Sequence, residues 1–251
     1  MDIKYYINRI KYIGGLNPNL ETLKALQKSH LLNIPFENLD IHLNNSIELK
    51  LDKIYQKIVV NKRGGFCYEL NGLFHYLLQS IGFNSKIISA RVYDSSNKRF
   101  GDEYDHLAII VKLDQSEYLT DVGFGEFAFN PLKIEPNTIQ SDTRGNFIIE
   151  THEENYYKVS KIENDIKTIE YIFSLQEREF SEFNQMCIYH QTNENSHFKQ
   201  KILVSKPTEN GRITITGNVL KISQMGAVKV NEEIEDGDFE NQLLKWFDIK
   251  L

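Results

Sequence analysis

Through the first eighty residues the apolar positions recur every three or four places, the period of a helix with one buried face. Ile3, Ile7 and Ile10 share such a face, Gly14-Gly15 interrupts it, and Pro18-Asn19 opens a second segment carrying Leu20, Leu23, Leu26 and His30. A third stripe runs through Leu70, Leu73, Phe74, Leu77, Leu78 and Ile81 and stops at Gly82, which predicts a helix from Cys67 to Ile81. From Lys86 the period falls to two. Ile87 to Val92, Leu107 to Leu113 and Tyr118 to Val122 read as strands, and strands dominate to about Ile172. A short helix with Phe180, Phe183 and Cys187 on its apolar side follows. The strand pattern then resumes at Ile202-Leu203-Val204, Arg212 to Thr216, Val219 to Ile222 and Val228 to Val230, and Phe239 to Phe247 closes the chain as a helix. The changes of pattern near residues 85 and 190 predict three parts: 1–85, 86–190 and 191–251.

Composition narrows the class. At 251 residues, 41% hydrophobic and 25% charged, the chain is long enough for a large core and too apolar for a disordered protein. A formal net charge of −6 gives no electrostatic footprint for nucleic acid, so a small-molecule or protein partner is expected. Two cysteines in unrelated contexts provide neither a disulfide framework nor a zinc spacing, and no apolar run reaches membrane-spanning length. The expectation is a cytoplasmic protein with no metal and no membrane partner.

The stretch with most chemistry is Arg63-Gly64-Gly65-Phe66-Cys67-Tyr68-Glu69-Leu70-Asn71-Gly72. It delivers a cysteine to the first turn of a helix, where unpaired N–H groups and the helix dipole favour thiolate over thiol. A nucleophilic cysteine also needs a base. Of the seven histidines, His75 lies eight residues along the same helix, about 12 Å away at 1.5 Å per residue. His106 differs from the rest because it heads the run Leu107-Ala108-Ile109-Ile110-Val111, after a polar loop. The next strand ends in Asp121, a carboxylate in an apolar setting that calls for a partner such as an imidazole N–H. Two hairpin registers compete. An apex at Leu113-Asp114 sets Asp121 opposite His106, whereas a turn at Asp114-Gln115-Ser116 sets it opposite Ile109, about 10 Å along the strand at 3.3 Å per residue.

These residues together resemble the arylamine N-acetyltransferase family. The resemblance is carried by Ile34-Pro35-Phe36-Glu37-Asn38-Leu39, by Arg63 to Glu69, by His106 at the head of its strand and by Asp121-Val122-Gly123-Phe124-Gly125, in the family's order. It implies an α+β architecture with an N-terminal helical bundle, a β-barrel-like domain and an α/β lid on a cysteine-protease-like core. It also implies a catalytic Cys67, His106 and Asp121, and a ping-pong transfer of acetyl from acetyl-CoA, as co-substrate, to arylamines, arylhydrazines or arylhydroxylamines, a role in xenobiotic metabolism. Gly123, Phe124 and Gly125 look like the acceptor-pocket and coenzyme-side loop, with Ser196 on the lid side of the coenzyme site. One departure is visible: Ser196-His197-Phe198 stands where the family often has Ser-Pro-Phe, and His197 is expected to be a solvated loop residue.

Three expectations follow from the resemblance and from local chemistry. Arg63 should pair with Glu37 and fix the turn before Cys67. Backbone N–H groups of Cys67 or Tyr68 are candidate oxyanion donors. Phe66, Phe124 and Tyr68 or Phe127 are candidates for an aromatic wall. The rival readings are a thiol hydrolase or transglutaminase-like enzyme using the same three residues, and a binding module that has kept only the fold.

Overall fold

The computed structural model describes residues 1–153 and 155–251. Its N-terminal part is helical: α1 (Ile3–Arg9), α2 (Leu20–Asn33), a two-residue strand β1 (Phe36–Glu37), α3 (Leu39–His42), α4 (Leu51–Tyr55) running into a π-turn at Gln56–Val60, and α5 (Cys67–Ser80). Asn19 caps α2 by accepting from the Thr22 N–H at 2.9 Å, as the Pro-Asn start signal requires. The third stripe forms α5, which ends as expected before Gly82 in the left-handed region at φ 93°. Its apolar residues, with Leu23, Leu26 and Phe66, build the first core against Leu107, Ile109 and Val111.

A nine-stranded antiparallel sheet follows, made of β2 (Asn84–Asp94), β3 (Arg99–Phe100), β4 (His106–Leu113), β5 (Ser116–Thr120), β6 (Leu132–Lys133), β7 (Ile139–Asp142), β8 (Gly145–His152), β9 (Tyr156–Glu163) and β10 (Ile166–Arg178). The strand order is β6-β5-β4-β2-β10-β9-β8-β7, with β3 paired to β2. Its two edges approach each other: the Gln140 side chain of β7 accepts from the Lys133 N–H of β6 at 2.7 Å and donates to the Lys133 carbonyl at 2.9 Å. The sheet is thereby a nearly closed barrel, which hides edges that would otherwise pair with other chains. Ala90, Ala108, Ile110, Phe127, Phe147, Tyr171 and Phe173 fill its interior. Strand β4 is buried on both faces, by this interior on one side and the helical core on the other, which is why it reads as an unbroken apolar run. Strand character extends past Ile172 to Arg178, because Glu177 and Arg178 pair with Ile88 and Ile87 beyond a register shift that residue alternation alone does not reveal.

The short helix of the sequence reading appears as a 3₁₀ turn (Phe180–Phe183) joined to α6 (Asn184–Thr192), followed by α7 (His197–Gln200). Then come β11 (Leu203–Thr208), β12 (Gly211–Thr216), β13 (Val219–Gln224), β14 (Ala227–Glu233) and α8 (Phe239–Phe247). These strands form a second antiparallel sheet in the order β1-β11-β12-β13-β14. Its core joins Val204, Ile215 and Leu220 to Leu243 and Phe247 of α8 and to Leu39.

Candidate active site

The segment Ile34 to Leu39 ties three parts of the molecule together. Phe36 and Glu37 pair with Ser205 and Val204 of β11, so β1 is the edge strand of the C-terminal sheet. On its other side Phe36 bridges Gly65, with the Glu37 N–H donating to the Gly65 carbonyl at 2.9 Å. Asn38 then donates to the Phe198 and Lys201 carbonyls, both at 2.8 Å, and accepts from the Leu203 N–H at 2.7 Å. One short strand thus fixes the loop before Cys67 against the C-terminal sheet. Gly64 is needed there because a Cβ would collide with the Pro35 carbonyl oxygen.

The expected ion pair is present inside a larger cluster. The Arg63 guanidinium lies 2.9 Å from Glu37, which is fully buried, and 3.2 Å from Asp40. Lys57 reaches Asp40 at 2.7 Å and Glu69 at 2.9 Å. Glu69 also accepts from the Phe66 N–H at 3.1 Å, closing the first turn of α5 from within. Burial raises the Glu69 carboxyl to about 7 despite the neighbouring Lys57.

Cys67, His106 and Asp121 converge where α5, β4 and the loop after β5 meet. All three are buried. His106 Nε2 lies 2.7 Å from Asp121 Oδ2. The hairpin adopts neither register considered above: Leu113 pairs Ser116 and Ile109 pairs Thr120, around a two-residue turn with Asp114 in the left-handed region. Extending this register sets Asp121 opposite Ala108, one diagonal step from His106 and on the same face. Such a step is within reach of long side chains, and the chain leaves β5 after Thr120, so the two groups meet.

Asp121 is held from several directions. Oδ1 accepts from Asn71 Nδ2 at 2.8 Å, the Gly123 N–H at 2.9 Å and the Phe124 N–H at 3.0 Å, while Oδ2 also accepts from the Tyr171 hydroxyl at 3.0 Å. Asn71, one helical turn beyond Cys67, further donates to the Leu107 carbonyl at 2.6 Å and accepts from the Val122 N–H at 2.9 Å. Neither Asn71 nor Tyr171 was singled out from sequence. Asn71 carried a signal, a polar side chain among apolar neighbours at i+4 from the cysteine. Tyr171 carried none, because its partner is fifty residues away.

Burial pushes the Cys67 thiol well above its ordinary value, the charges of Asp105 and Asp121 add to that, and the Leu107 N–H aimed at the sulfur opposes it. A thiolate at this position therefore requires a proton acceptor close by. Gly123 lies against the nucleophile: a Cβ on it would approach the Cys67 Cα to 2.8 Å. Cys187 is buried too, and burial pushes its thiol up to about 12.

Cys67 and His106 open onto a cleft of about 740 Å³, and Gly123, Phe124, Gly125 and Ser196 all line it. Of the four aromatic candidates only Phe124 reaches the cleft, its ring centroid 5.4 Å from that of His106. Phe66 and Tyr68 are buried in the helical core and Phe127 in the barrel interior, so none of the three faces the cleft. Phe36 and Phe198 supply the opposite aromatic surface. His197 is exposed at the start of α7, whereas the Ser196 hydroxyl lies 3.1 Å from His190 Nδ1. Also missed was Arg212 of β12, which pairs with Glu126 at 3.1 Å and donates to the Gly125 carbonyl, joining the C-terminal sheet to the cleft loop. No group of three or more His, Cys, Asp or Glu among the described residues is arranged to hold a metal ion.

A buried cysteine at a helix start, beside a barrel that supplies an imidazole–carboxylate pair, defines a site built for a thiol nucleophile. Comparison with known proteins specifies the class. A model of the N-acetyltransferase family matches residues 19–251. The chicken (Gallus gallus) pineal gland isozyme NAT-3, an arylamine N-acetyltransferase, is 34% identical over 236 residues, which cover 86% of this chain and 81% of that one. The Bacillus cereus arylamine N-acetyltransferase described by its Cys-His-Glu catalytic triad superposes with a TM-score of 0.91 at 28% identity, covering 100% of both chains. The Mycobacterium marinum enzyme in complex with CoA gives 0.91 at 26% identity, over 99% of this chain and 93% of that one. The chain belongs to the arylamine N-acetyltransferase family, whose members are transferases.

Proposed function

We propose that the protein moves acetyl from acetyl-CoA to an aromatic amine, hydrazine or hydroxylamine in two steps through acetyl-Cys67, with His106 as base and Asp121 as its orienting carboxylate. The observation that carries this reading is the 2.7 Å contact of His106 Nε2 with Asp121, which leaves Nδ1 as the ring nitrogen that exchanges a proton at the cleft. His106 takes the Cys67 proton, and the thiolate is retained as half of an ion pair because burial disfavours it alone. The sulfur attacks the acetyl carbonyl, the bond to coenzyme sulfur breaks, and the imidazolium returns its proton to that sulfur. Orphan N–H groups of Cys67 and Tyr68 at the α5 start are the candidate donors to the oxyanion. An amine then attacks acetyl-Cys67, the C–S bond breaks with its electron pair going to sulfur, and the N–H proton lost by the amine is taken up at the cleft and restores the Cys67–His106 pair.

The cleft suits both substrates. Phe36, Phe124 and Phe198 offer apolar faces to an aromatic acceptor, while Gly123, Phe124, Gly125 and Ser196 are assigned to the coenzyme side. CoA binding by the Mycobacterium marinum relative supports acetyl-CoA as co-substrate. An Asp at position 121, where the Bacillus cereus relative is described with a Glu in its triad, is consistent with the same chemistry, because either carboxylate can hold the imidazole tautomer. The proposed setting is the cytoplasm; among the described residues no helix is long and apolar enough to cross a membrane. The division at residues 85 and 190 is proposed as three parts of one catalytic unit.

Intact mass after mixing with acetyl-CoA alone tests the reading. One acetyl adduct is expected, absent in Cys67→Ala and strongly reduced in His106→Ala. An adduct that persists in Cys67→Ala would overturn it.

A further inference from the structure

Two cations from the barrel and one from the C-terminal sheet converge on the loop that follows Asp121. The Gly125 carbonyl accepts from Arg144 Nη2 at 3.2 Å and from Arg212 Nη2. The Glu126 carboxylate, next along the chain, lies 3.1 Å from Arg212 Nε, 3.1 Å from Lys161 Nζ and 3.4 Å from Arg144 Nη2. Arg144 stands in the turn before β8, Lys161 in β9 and Arg212 in β12. The three cationic side chains are largely buried, whereas that of Glu126 is 49% exposed. Burial works against the Glu126 charge, but Arg212, Lys161 and Arg144 outweigh it and hold the carboxyl below its ordinary value. Two further carboxyl groups face the cluster, Glu163 at 3.1 Å from Lys161 and Glu170 of β10. Arg212 is itself anchored. Its Nη1 donates to the Ser205 hydroxyl at 2.7 Å, and Ser205 pairs with Phe36 of β1.

The same loop holds the orienting carboxylate. The Gly123 and Phe124 N–H groups donate to Asp121 Oδ1, and the Phe124 ring packs 5.4 Å from that of His106 and 5.1 Å from that of Tyr171, whose hydroxyl donates to Asp121 Oδ2. Packing does not fix the loop at Gly125. A Cβ there would meet no heavy atom within 4 Å, and Glu126 and Arg212 line both the cleft and a second cavity of about 510 Å³, so no core backs the chain at this point. What holds it is the set of charged contacts: a guanidinium fork binds a carbonyl and a carboxylate at once, in a partly buried setting where screening is weak. We infer that Arg212, with Arg144 and Lys161, is a positioning residue. By clamping Gly125 and Glu126 it keeps the turn from Asp121 to Phe124 seated on His106, so a strand of the C-terminal sheet orients the base of a thiol housed in the helical part. The inference rests on the roles proposed above for Cys67, His106 and Asp121.

Two measurements test this. The midpoint of the pH profile for Cys67 alkylation by iodoacetamide reports how readily the thiol gives its proton to His106, and it needs no acetyl-CoA. The rate of acetyl-adduct formation at saturating acetyl-CoA reports the same geometry in the reaction. Both are compared in wild type, Arg212→Met, Arg212→Lys, Glu126→Gln and Lys28→Met, the last removing a 2.8 Å pair with Glu209 of the β11–β12 turn, away from the loop. Arg212→Met is expected to raise the alkylation midpoint by about half a pH unit, about threefold in thiol acidity, and to slow saturated acetylation about tenfold, since a misplacement of about 1 Å costs up to about 100-fold. Arg212→Lys should shift both in the same direction but less, because an ammonium keeps the charge and loses the fork. Glu126→Gln separates positioning from charge: losing a negative charge alone would lower the midpoint, whereas loosening the clamp raises it. A raised midpoint is expected there, and this variant and Arg212→Lys keep the test open should Arg212→Met misfold. Lys28→Met should match wild type. An unchanged or lowered midpoint in Glu126→Gln, full restoration by Arg212→Lys, or a like shift in Lys28→Met would overturn the clamp. So would a raised KM for acetyl-CoA with midpoint and saturated rate unchanged, which would make Arg212 a coenzyme contact only. Absence of an acetyl adduct in wild type would overturn the acetyl-cysteine reading, while the alkylation midpoints would still decide the clamp.

Discussion

Asn71 on the nucleophile helix donates to Asp121 at 2.8 Å, so the residue that orients the base is fastened to the element that carries the thiol. The same amide spans the Leu107 carbonyl and the Val122 N–H, all in the dry seam between α5 and the barrel. Replacing it leaves buried groups unpaired, each costing about 1–3 kcal/mol. Asn71→Ala is expected to lose roughly 2–4 kcal/mol in urea unfolding, with a fall of at least about tenfold in the rate of Cys67 acetylation among molecules that remain folded. A variant with wild-type stability and acetylation would show that the seam does not position the site.

Removing Glu37 strands Arg63 inside the cluster that holds the loop before Cys67. Breaking one partner of a buried pair costs about 3–5 kcal/mol, and Asp40 remains to share the charge, so Glu37→Ala should fall near the lower end, about 3 kcal/mol. The loop would loosen, and Cys67 alkylation should slow. Thermal and urea unfolding together with iodoacetamide labelling check both effects.

The Glu69 carboxyl, raised to about 7 by burial, makes stability depend on pH in a direction opposite to that of most carboxylates. Between its ordinary value of 4.5 and about 7 the folded state binds the extra proton. Stability from this group is therefore present below pH 4.5 and is lost as pH rises through about 7. Glu69→Gln, which keeps an acceptor for the Phe66 N–H, should flatten that part of the unfolding-midpoint profile. An unchanged profile would show that Lys57 keeps Glu69 ionised throughout.

Only one thiol should label at neutral pH. Cys187 is held protonated by burial, at about 12, whereas Cys67 has His106 to take its proton. Iodoacetamide is expected to add once, at Cys67, and more slowly in His106→Ala because burial and the charges of Asp105 and Asp121 then hold the thiol up unopposed by an imidazolium. Peptide mapping after a short exposure distinguishes the sites.

Gly123 offers a steric probe. A methyl group there meets the Cys67 Cα at 2.8 Å and the Asn71 amide at 2.7 Å, neither of which can retreat without moving α5. Gly123→Ala should lower acetylation at least about tenfold, whereas Gly125→Ala, with open space around it, should leave the fold intact. Equal behaviour of the two variants would contradict the packing described.

The chain by itself determined what depends on near neighbours. Periodicity marked α2, α5, β4 and α8, because a helix or strand that buries one face must repeat at its own period. Gly64-Gly65 before Cys67 announced a tight approach to a helix start, and the resemblance in Ile34 to Leu39 pointed to the Glu37–Arg63 pair. What spacing could not settle was how distant segments meet. The His106–Asp121 contact depended on a hairpin register that turn chemistry leaves open by a residue or two, and the chain took a third option in which a diagonal step closes the gap. Asn71, Tyr171 and Arg212 acquire their roles from partners between 36 and 87 residues away. Burial of Phe66, Tyr68 and Phe127 was likewise decided by which face the barrel and helices cover. Local sequence sets the period and the turn, but a hydrogen bond between buried side chains exists only once packing has excluded water and left each partner no alternative.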